Sequence, residues 1–431
     1  MRYCARCLYP ENHPFGIVFD DEGVCSGCRV HEEKDALDWS ARRRALDAIL
    51  DPYRNKSGRN YDCIVPVSGG GDSHFIVDTV TNTLGLRPLL VNFNHEFNTR
   101  TGIRNLANLH TVFDCDLVTS TLNPALLKRI ARSTLRKFGS LYWHCLAGAL
   151  TFPVQAAVKF RVPLIVWGVN PWLDQVGMFS HVDEAEMSKR TRKEHGLLGV
   201  DALDLVDPGA GVTRPDVQPF LYPFDEEIEL VGVRGIYLGN YFRWDSTVQH
   251  ERMIERYGYE SAVQARTFNP YEDVHCHHSA GLHDYVKFLK YGYGKATDHA
   301  VREIRFGRMT REEGIALVRR YQDTRPADLR LFLDWAGLSE AEFFGAVDRF
   351  RDPRVWEKAD GAWRLRDSVV NHRDDPGVER ARLPASGAWR FTVTPSREPG
   401  RKDDAYLLMG RGYLDQYNYG AVEDRPAGPR P

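Results

Sequence analysis

Short apolar runs alternate, through the first half of the chain, with longer stretches whose apolar positions recur at helical spacing. Tyr61–Val67, Leu89–Phe93, Leu117–Thr119, Leu164–Trp167 and Ile236–Leu238 have the length and content of strands. Between them, His74–Thr83, Gly102–Thr111, Pro124–Phe138 and Ala147–Lys159 read as helices. Alternation of this kind predicts an α/β fold with a doubly wound parallel sheet. Ahead of the first strand, Leu46, Ile49, Leu50 and Tyr53 fall on one face of a helix expected over Leu37–Tyr53. The pattern from Thr247 to Phe350 is helical with few strand signals, whereas beyond about Asp367 it turns rich in Pro, Arg and Asp and offers little core. We therefore expect an N-terminal unit over 1–35, a linker helix over 36–58, the sheet domain over 59–246 and a helical unit over 247–366. A tail over 367–431 is expected to be partly disordered, with a strand at Trp389–Thr394.

The 431 residues are enough for one large core and smaller satellites. A formal net charge of -2 supplies no global positive field for a nucleic acid, so nucleic acid is not an expected partner. The first ten residues lack the apolar centre of a secretory signal, and no run approaches the roughly 20 apolar residues of a spanning helix. No membrane association and a cytoplasmic location are the expectation. In a reducing compartment the eight cysteines are ligands, nucleophiles or core fillers rather than disulfides.

Four of them form two C-x-x-C pairs, Cys4 with Cys7 and Cys25 with Cys28. Two such knuckles closed on each other make the tetrahedral sulfur set that Zn²⁺ prefers, and a segment this short needs a metal to hold its fold. Gly16–Asp21 reads as a strand and Asp21-Glu22-Gly23 as a turn, giving a zinc ribbon. Four thiolates suit an iron-sulfur cluster as well.

The first strand runs into Ser68-Gly69-Gly70-Gly71-Asp72-Ser73 and then a helix. Glycines let backbone N–H groups converge on an anion, and the helix N-terminus adds its partial positive charge. Ser68 and Ser73 can donate hydroxyl hydrogen bonds to phosphate, and Asp72 either holds Mg²⁺ or caps the helix. The Gly-Lys-Ser/Thr ending of a Walker loop is missing. Ligands of open α/β sheets bind beyond the carboxyl ends of the strands, which adds Asn92, Gly168, Asn170 and Asp174 to the candidates.

Taken in order, these motifs resemble the N-acetyl sugar amidotransferases of surface-polysaccharide and lipopolysaccharide biosynthesis, in the PP-loop ATP pyrophosphatase superfamily. The similarity runs from Cys4 to about Trp363. It rests on the paired cysteines, YDCIVPVSGGGDS at 61–73, Trp143-His144-Cys145, Thr151-Phe152-Pro153-Val154 and PLIVWGVNP at 163–171. It continues in VGVRGIYLG at 231–239, Trp244-Asp245, GLHDY at 281–285 and GYGKATDH at 292–299. The resemblance implies a sheet of the adenine nucleotide alpha hydrolase-like type. It also implies adenylation of the acetamido oxygen of a nucleotide-linked N-acetyl sugar by ATP with Mg²⁺, followed by displacement of AMP by ammonia from a glutaminase subunit. On it rest Asp72, Ser73 and Lys295 as catalytic candidates, and Ser68–Ser73 with Asn92 and Gly168 for ATP. Trp143, Asn170, Asp174, His283 and Asp284 are the candidates for the sugar.

Three positions depart from the family pattern: Gly71 stands where a lysine is common, Val169 where a glutamate is expected, and Tyr142 where a second cysteine often precedes Cys145. Among other candidates, His275-Cys276-His277-His278 reads as a polar loop or a metal tract, and adjacent residues rarely aim at one ion. Asp284 can cap a helix, Asn170 can begin an Asn-Pro turn, and Cys63 belongs to the core. The competing functions are a tRNA-modifying enzyme that adenylates a base through the same loop, and a binding module that has lost catalysis.

Overall fold

The computed structural model describes residues 1–380 except 56, 57, 190 and 198. The strand expected at Trp389–Thr394 and the disorder expected further on lie outside the described residues.

Five parallel strands, β1 Cys63–Pro66, β2 Pro88–Asn94, β3 Leu117–Thr121, β4 Leu164–Trp167 and β5 Arg234–Tyr237, lie in the order β3-β2-β1-β4-β5. Successive side chains of a strand face opposite ways, and here both faces are covered. Cys63 and Val65 of β1 join a core with Ile76 and Val80, while Ile64 joins a separate one with Val154 and Ala157. Helices Gly71–Asp78 and Ser246–Tyr257 cover the first face. Trp143–Phe160 covers the second, and Gly148 brings it down onto β2: a Cβ there would lie 2.3 Å from the Phe93 ring. Pro66, a poor residue for a strand interior, ends β1 where the glycine loop begins.

Local chemistry sets the helix ends. Asn123 accepts from the Ala125 amide, Pro124 occupies the first turn, and Gly139 at φ 59° closes Pro124–Phe138. Thr310 and Glu313 form a capping box at the start of Arg311–Tyr321.

The C-terminal unit departs from the expected run of helices in two places. Residues 259–281 form an irregular segment laid against the sheet domain, and Trp356–Ala359 pairs with Ala362–Leu365 as a hairpin, β6 and β7. Helices Leu282–Tyr291, Leu329–Ala336 and Glu340–Val347 share a core with β6.

The N-terminal unit is no free-standing ribbon. Gly16–Asp21 contributes only an isolated bridge, Phe19 to Cys25, and Cys28 sits in the helix Ser26–Ala36. Its four cysteines share one core with Tyr291, Val301, Ile304 and Ile315 of the C-terminal unit. Residues 367–380, expected to offer little core, close over the same cluster: Val369 is buried, and the Val378 amide donates to the Ala5 carbonyl at 3.0 Å.

Candidate functional site

Strand order reverses between β1 and β4, so their connections leave on opposite faces and open a crevice at their carboxyl ends. The glycine loop lies there. Gly69 adopts φ +78°, a left-handed turn that side chains disfavour, and the helix starts at Gly71. The Ser68 amide donates to Ser73 Oγ at 3.0 Å and the Gly70 amide to Ser68 Oγ at 3.4 Å. Both hydroxyls act as acceptors in these bonds, so their protons are left for a ligand oxygen. Asn92 is buried at the end of β2 and ties it to β1 through the Val67 carbonyl at 2.8 Å. Gly168 packs directly on the loop's helix, where a Cβ would meet Ile76 Cδ1 at 2.9 Å.

Asp72 is the second residue of that helix and does not cap it; its half-exposed carboxylate meets His250 Nε2 at 2.9 Å. Burial alone would lower the His250 pKa, but the hydrogen bond and charge of Asp72 outweigh it and raise it. On the other side, His275 lies against the loop, its Nδ1 3.4 Å from where a Cβ on Gly70 would be. Mg²⁺ commonly takes one or two carboxylates and completes its shell with water and phosphate oxygens, and Asp72 beside an anion-binding loop fits that pattern.

Glu272 and Asp273, just before His275, tie the loop's surroundings to the helix Lys295–Arg305. Glu272 pairs with Arg302, and Asp273 pairs with Lys295 and accepts from Ser279 Oγ at 2.7 Å. Burial would raise the Asp273 pKa, and Lys295 outweighs it so that the carboxyl stays below its ordinary range. Lys295 and Ser279 in turn line a cavity of about 420 Å³ beyond β4 and β5. Its walls are mainly aromatic and apolar, with Trp143, Trp167, Trp172 and Tyr222 among them. The N-terminal unit completes it: His13, Pro14 and Phe15 line it too, and Phe15 stacks on Trp172 with ring centroids 4.8 Å apart. Cation chemistry is present but mostly engaged. Lys287 pairs with Asp298 at 2.6 Å, and Lys290, whose pKa burial pushes well below its ordinary value, donates to the Phe138 carbonyl at 3.2 Å.

The residues predicted from sequence divide into three groups. Ser68–Ser73, Asn92 and Gly168 gather at the crevice, and Trp143, His283, Asp284 and Lys295 reach the cavity. Asn170 and Asp174 are placed otherwise. Asn170 caps the turn at Pro171–Asp174 by accepting from the Trp172 amide at 3.0 Å, and Asp174 is held by Lys34 of the N-terminal unit at 2.7 Å. The Asp174 carboxyl faces a burial penalty that Lys34 outweighs, which keeps its pKa low. Asp284, within the cavity wall, spends its carboxylate on Arg266 Nε at 2.9 Å and on the Lys295 amide at 2.6 Å. His283 stacks on Tyr142 at 4.5 Å, and burial pushes its pKa down to about 3.

The histidine tract diverges: His275 faces the loop, His277 is exposed and His278 pairs with Asp328. Cys276, whose Sγ accepts from the Tyr142 hydroxyl at 3.5 Å, shares a buried cluster with Cys145, so a second cysteine lies near Cys145 although none precedes it in sequence. His250, His275 and Phe15 escaped the sequence reading because each lies far along the chain from the motif it faces and carries no motif of its own.

Cys4, Cys7, Cys25 and Cys28 are all buried, with their sulfur atoms within 4.8 Å of one another; Cys7 to Cys25 is 3.7 Å and Cys4 to Cys28 is 4.0 Å. A tetrahedron of Zn–S bonds of about 2.3 Å sets sulfur atoms about 3.8 Å apart, so the set fits a single ion. Among the described residues it is the one group of three or more such ligands, and no helix is long and apolar enough to cross a membrane.

Compared with known proteins, residues 251–369 match the family model described as LPS biosynthesis protein WbpG-like, C-terminal domain. No curated protein matches. Among solved structures, the NMN synthetase from Francisella tularensis is 13% identical, covering 53% of this chain and 98% of that one. Its TM-score of 0.26 is too low for the likeness to carry an argument.

Proposed function

Residues 251–369 belong to the family of WbpG-like LPS biosynthesis C-terminal domains, and from that premise we propose that the chain is an ATP-dependent amidotransferase of PP-loop type. In this reading it converts the acetamido group of a nucleotide-linked N-acetyl sugar into an acetamidino group in surface-polysaccharide biosynthesis, with ammonia delivered by a glutaminase partner. The observation that carries the reading is the glycine loop Ser68–Ser73, seated where the strand order reverses, beside an aromatic cavity walled by the family-matched domain.

An amide carbon is a poor electrophile and its oxygen a poor leaving group. The acetamido oxygen attacks the α-phosphorus of ATP, the bond to pyrophosphate breaks, and AMP is left on that oxygen. Ammonia then adds to the activated carbon and AMP departs, so that oxygen is replaced by NH. The loop amides and the hydroxyls of Ser68 and Ser73 bind the pyrophosphate end and stabilise the charge that develops on it. Mg²⁺ held by Asp72 would neutralise further charge on the phosphates. The apolar walls of the cavity keep water away from the adenylated carbon, whose hydrolysis would return the starting amide. Lys295, fixed by Asp273, places a cation at the cavity end nearest the loop's flanking segment.

The test is to incubate the protein with ATP, Mg²⁺ and ammonium together with a panel of nucleotide-linked N-acetyl sugars, or with unmodified tRNA. Formation of AMP with a sugar product one mass unit lighter supports the proposal. AMP formed only with tRNA transfers the site to base modification, and no AMP with any substrate makes the chain a binding protein.

A further inference from the structure

Position 71 has no room for a side chain, although its backbone conformation would accept one. A Cβ built on Gly71 falls 2.4 Å from His250 Cδ2 and 2.8 Å from both Cγ and Nε2. Flexible side-chain ends can step aside from such a contact, but this ring is fixed: its side chain is 1% exposed, and Nε2 is hydrogen-bonded to Asp72 Oδ1 at 2.9 Å. His250 enters from the helix Ser246–Tyr257, which packs along the loop's own helix within the same core. Tyr259 lies behind it, with ring centroids 6.1 Å apart. The other ring nitrogen, Nδ1, is buried without a hydrogen-bond partner among the described residues, an arrangement with a cost unless something else is gained.

We propose that His250 is the positioning residue of the nucleotide site, an imidazole supplied from a distant helix that fills the place of a side chain at position 71 and sets the Asp72 carboxylate toward the bound phosphates. The proposal rests on the reading of Ser68–Ser73 as an ATP site and adds a part the loop motif does not contain. The fixed ring limits the rotamers of Asp72, whose half-exposed carboxylate would otherwise turn freely into solvent. It also makes Gly71 obligatory: the glycine and the histidine form one steric unit.

The experiment uses the full chain and reads Mg²⁺-ATP binding by calorimetry, with AMP formation and acceptor KM measured beside it. His250→Ala is expected to weaken ATP binding at least tenfold and to lower kcat, while leaving acceptor KM within twofold. His250→Gln, which keeps an N–H donor for Asp72, is expected to recover most of the lost affinity. Gly71→Ala alone is expected to weaken binding through the collision, and Gly71→Ala combined with His250→Ala to be no worse than His250→Ala alone, because the collision is gone. Melting temperatures of all variants separate loss of fold from loss of site. Failure of the unmodified chain to bind ATP defeats the nucleotide reading and this proposal with it. Binding by the unmodified chain that persists undiminished in a folded His250→Ala variant, or additive losses in the double variant, overturns the proposal alone.

Discussion

Asp72 combines three features on one side chain: it sits at the start of a helix, its carboxylate is half exposed, and a histidine fixes it. Replacing it with Ala should abolish AMP formation and leave the fold intact, because no core contact is lost; AMP formation at an undiminished rate would refute its role as the Mg²⁺ ligand. Asp284 is the opposite case. Its ion pair with Arg266 is almost fully buried on both sides, so Asp284→Ala strands a guanidinium in the core and should cost about 3–5 kcal/mol, seen as a shifted urea midpoint. Were Asp284 mainly a substrate ligand, that midpoint would barely move. Several buried histidines predict acid sensitivity. Burial pushes His13, His95 and His144 down to about 3 from an ordinary 6.5, each helped by a neighbouring cation or imidazole. Below 6.5 the unfolded chain binds protons that the folded chain does not, so stability falls as pH drops from about 6.5 toward 3. At pH 5.5 each such histidine contributes about 1.4 kcal/mol of loss. A denaturation series between pH 8 and 5 with a flat midpoint would contradict this assignment.

At the scale of elements, the four-cysteine unit and its surroundings act as one body. Arg305 donates to the carbonyls of Asp174 and Gln175 at 2.9 Å, Arg6 reaches the Ile304 carbonyl at 2.9 Å, and Asn12 reaches that of Tyr291 at 3.2 Å. Gly177, at φ +64°, lets the backbone pass so close to this unit that a Cβ would lie 2.3 Å from the Ser26 carbonyl oxygen. Cys25→Ser should therefore abolish metal content, measured by elemental analysis, and also lower the melting temperature of the whole chain in a single transition. A separate low-temperature transition would mean an independent domain. Since Phe15 forms part of the cavity wall, Phe15→Ala should raise the KM for the acceptor severalfold and leave the KM for ATP unchanged, which steady-state kinetics with each substrate varied in turn would check.

For the whole molecule, the sheet, the loop and the cysteine set were legible in the sequence because each is written locally. Strand and helix periods repeat over a few residues, glycine and proline mark turns, and a C-x-x-C pair specifies its own geometry. Pro124–Phe138 and Leu164–Trp167 fall on the elements expected for them, residue for residue. The cavity was not legible, since its wall joins residues 13–15, 139–196 and 279–298, which meet only when the N-terminal unit docks on the C-terminal helices. Nor could the sequence tell that Asp174 serves Lys34 or that His250 stands over Gly71, contacts across 140 and 179 positions of chain. What the sequence determined by itself was the set of local parts and the anion-binding character of the loop. What the tertiary structure alone decided was which polar groups face one another, because a carboxylate or an imidazole has the same local signature whether it meets a ligand, an ion-pair partner or a helix end.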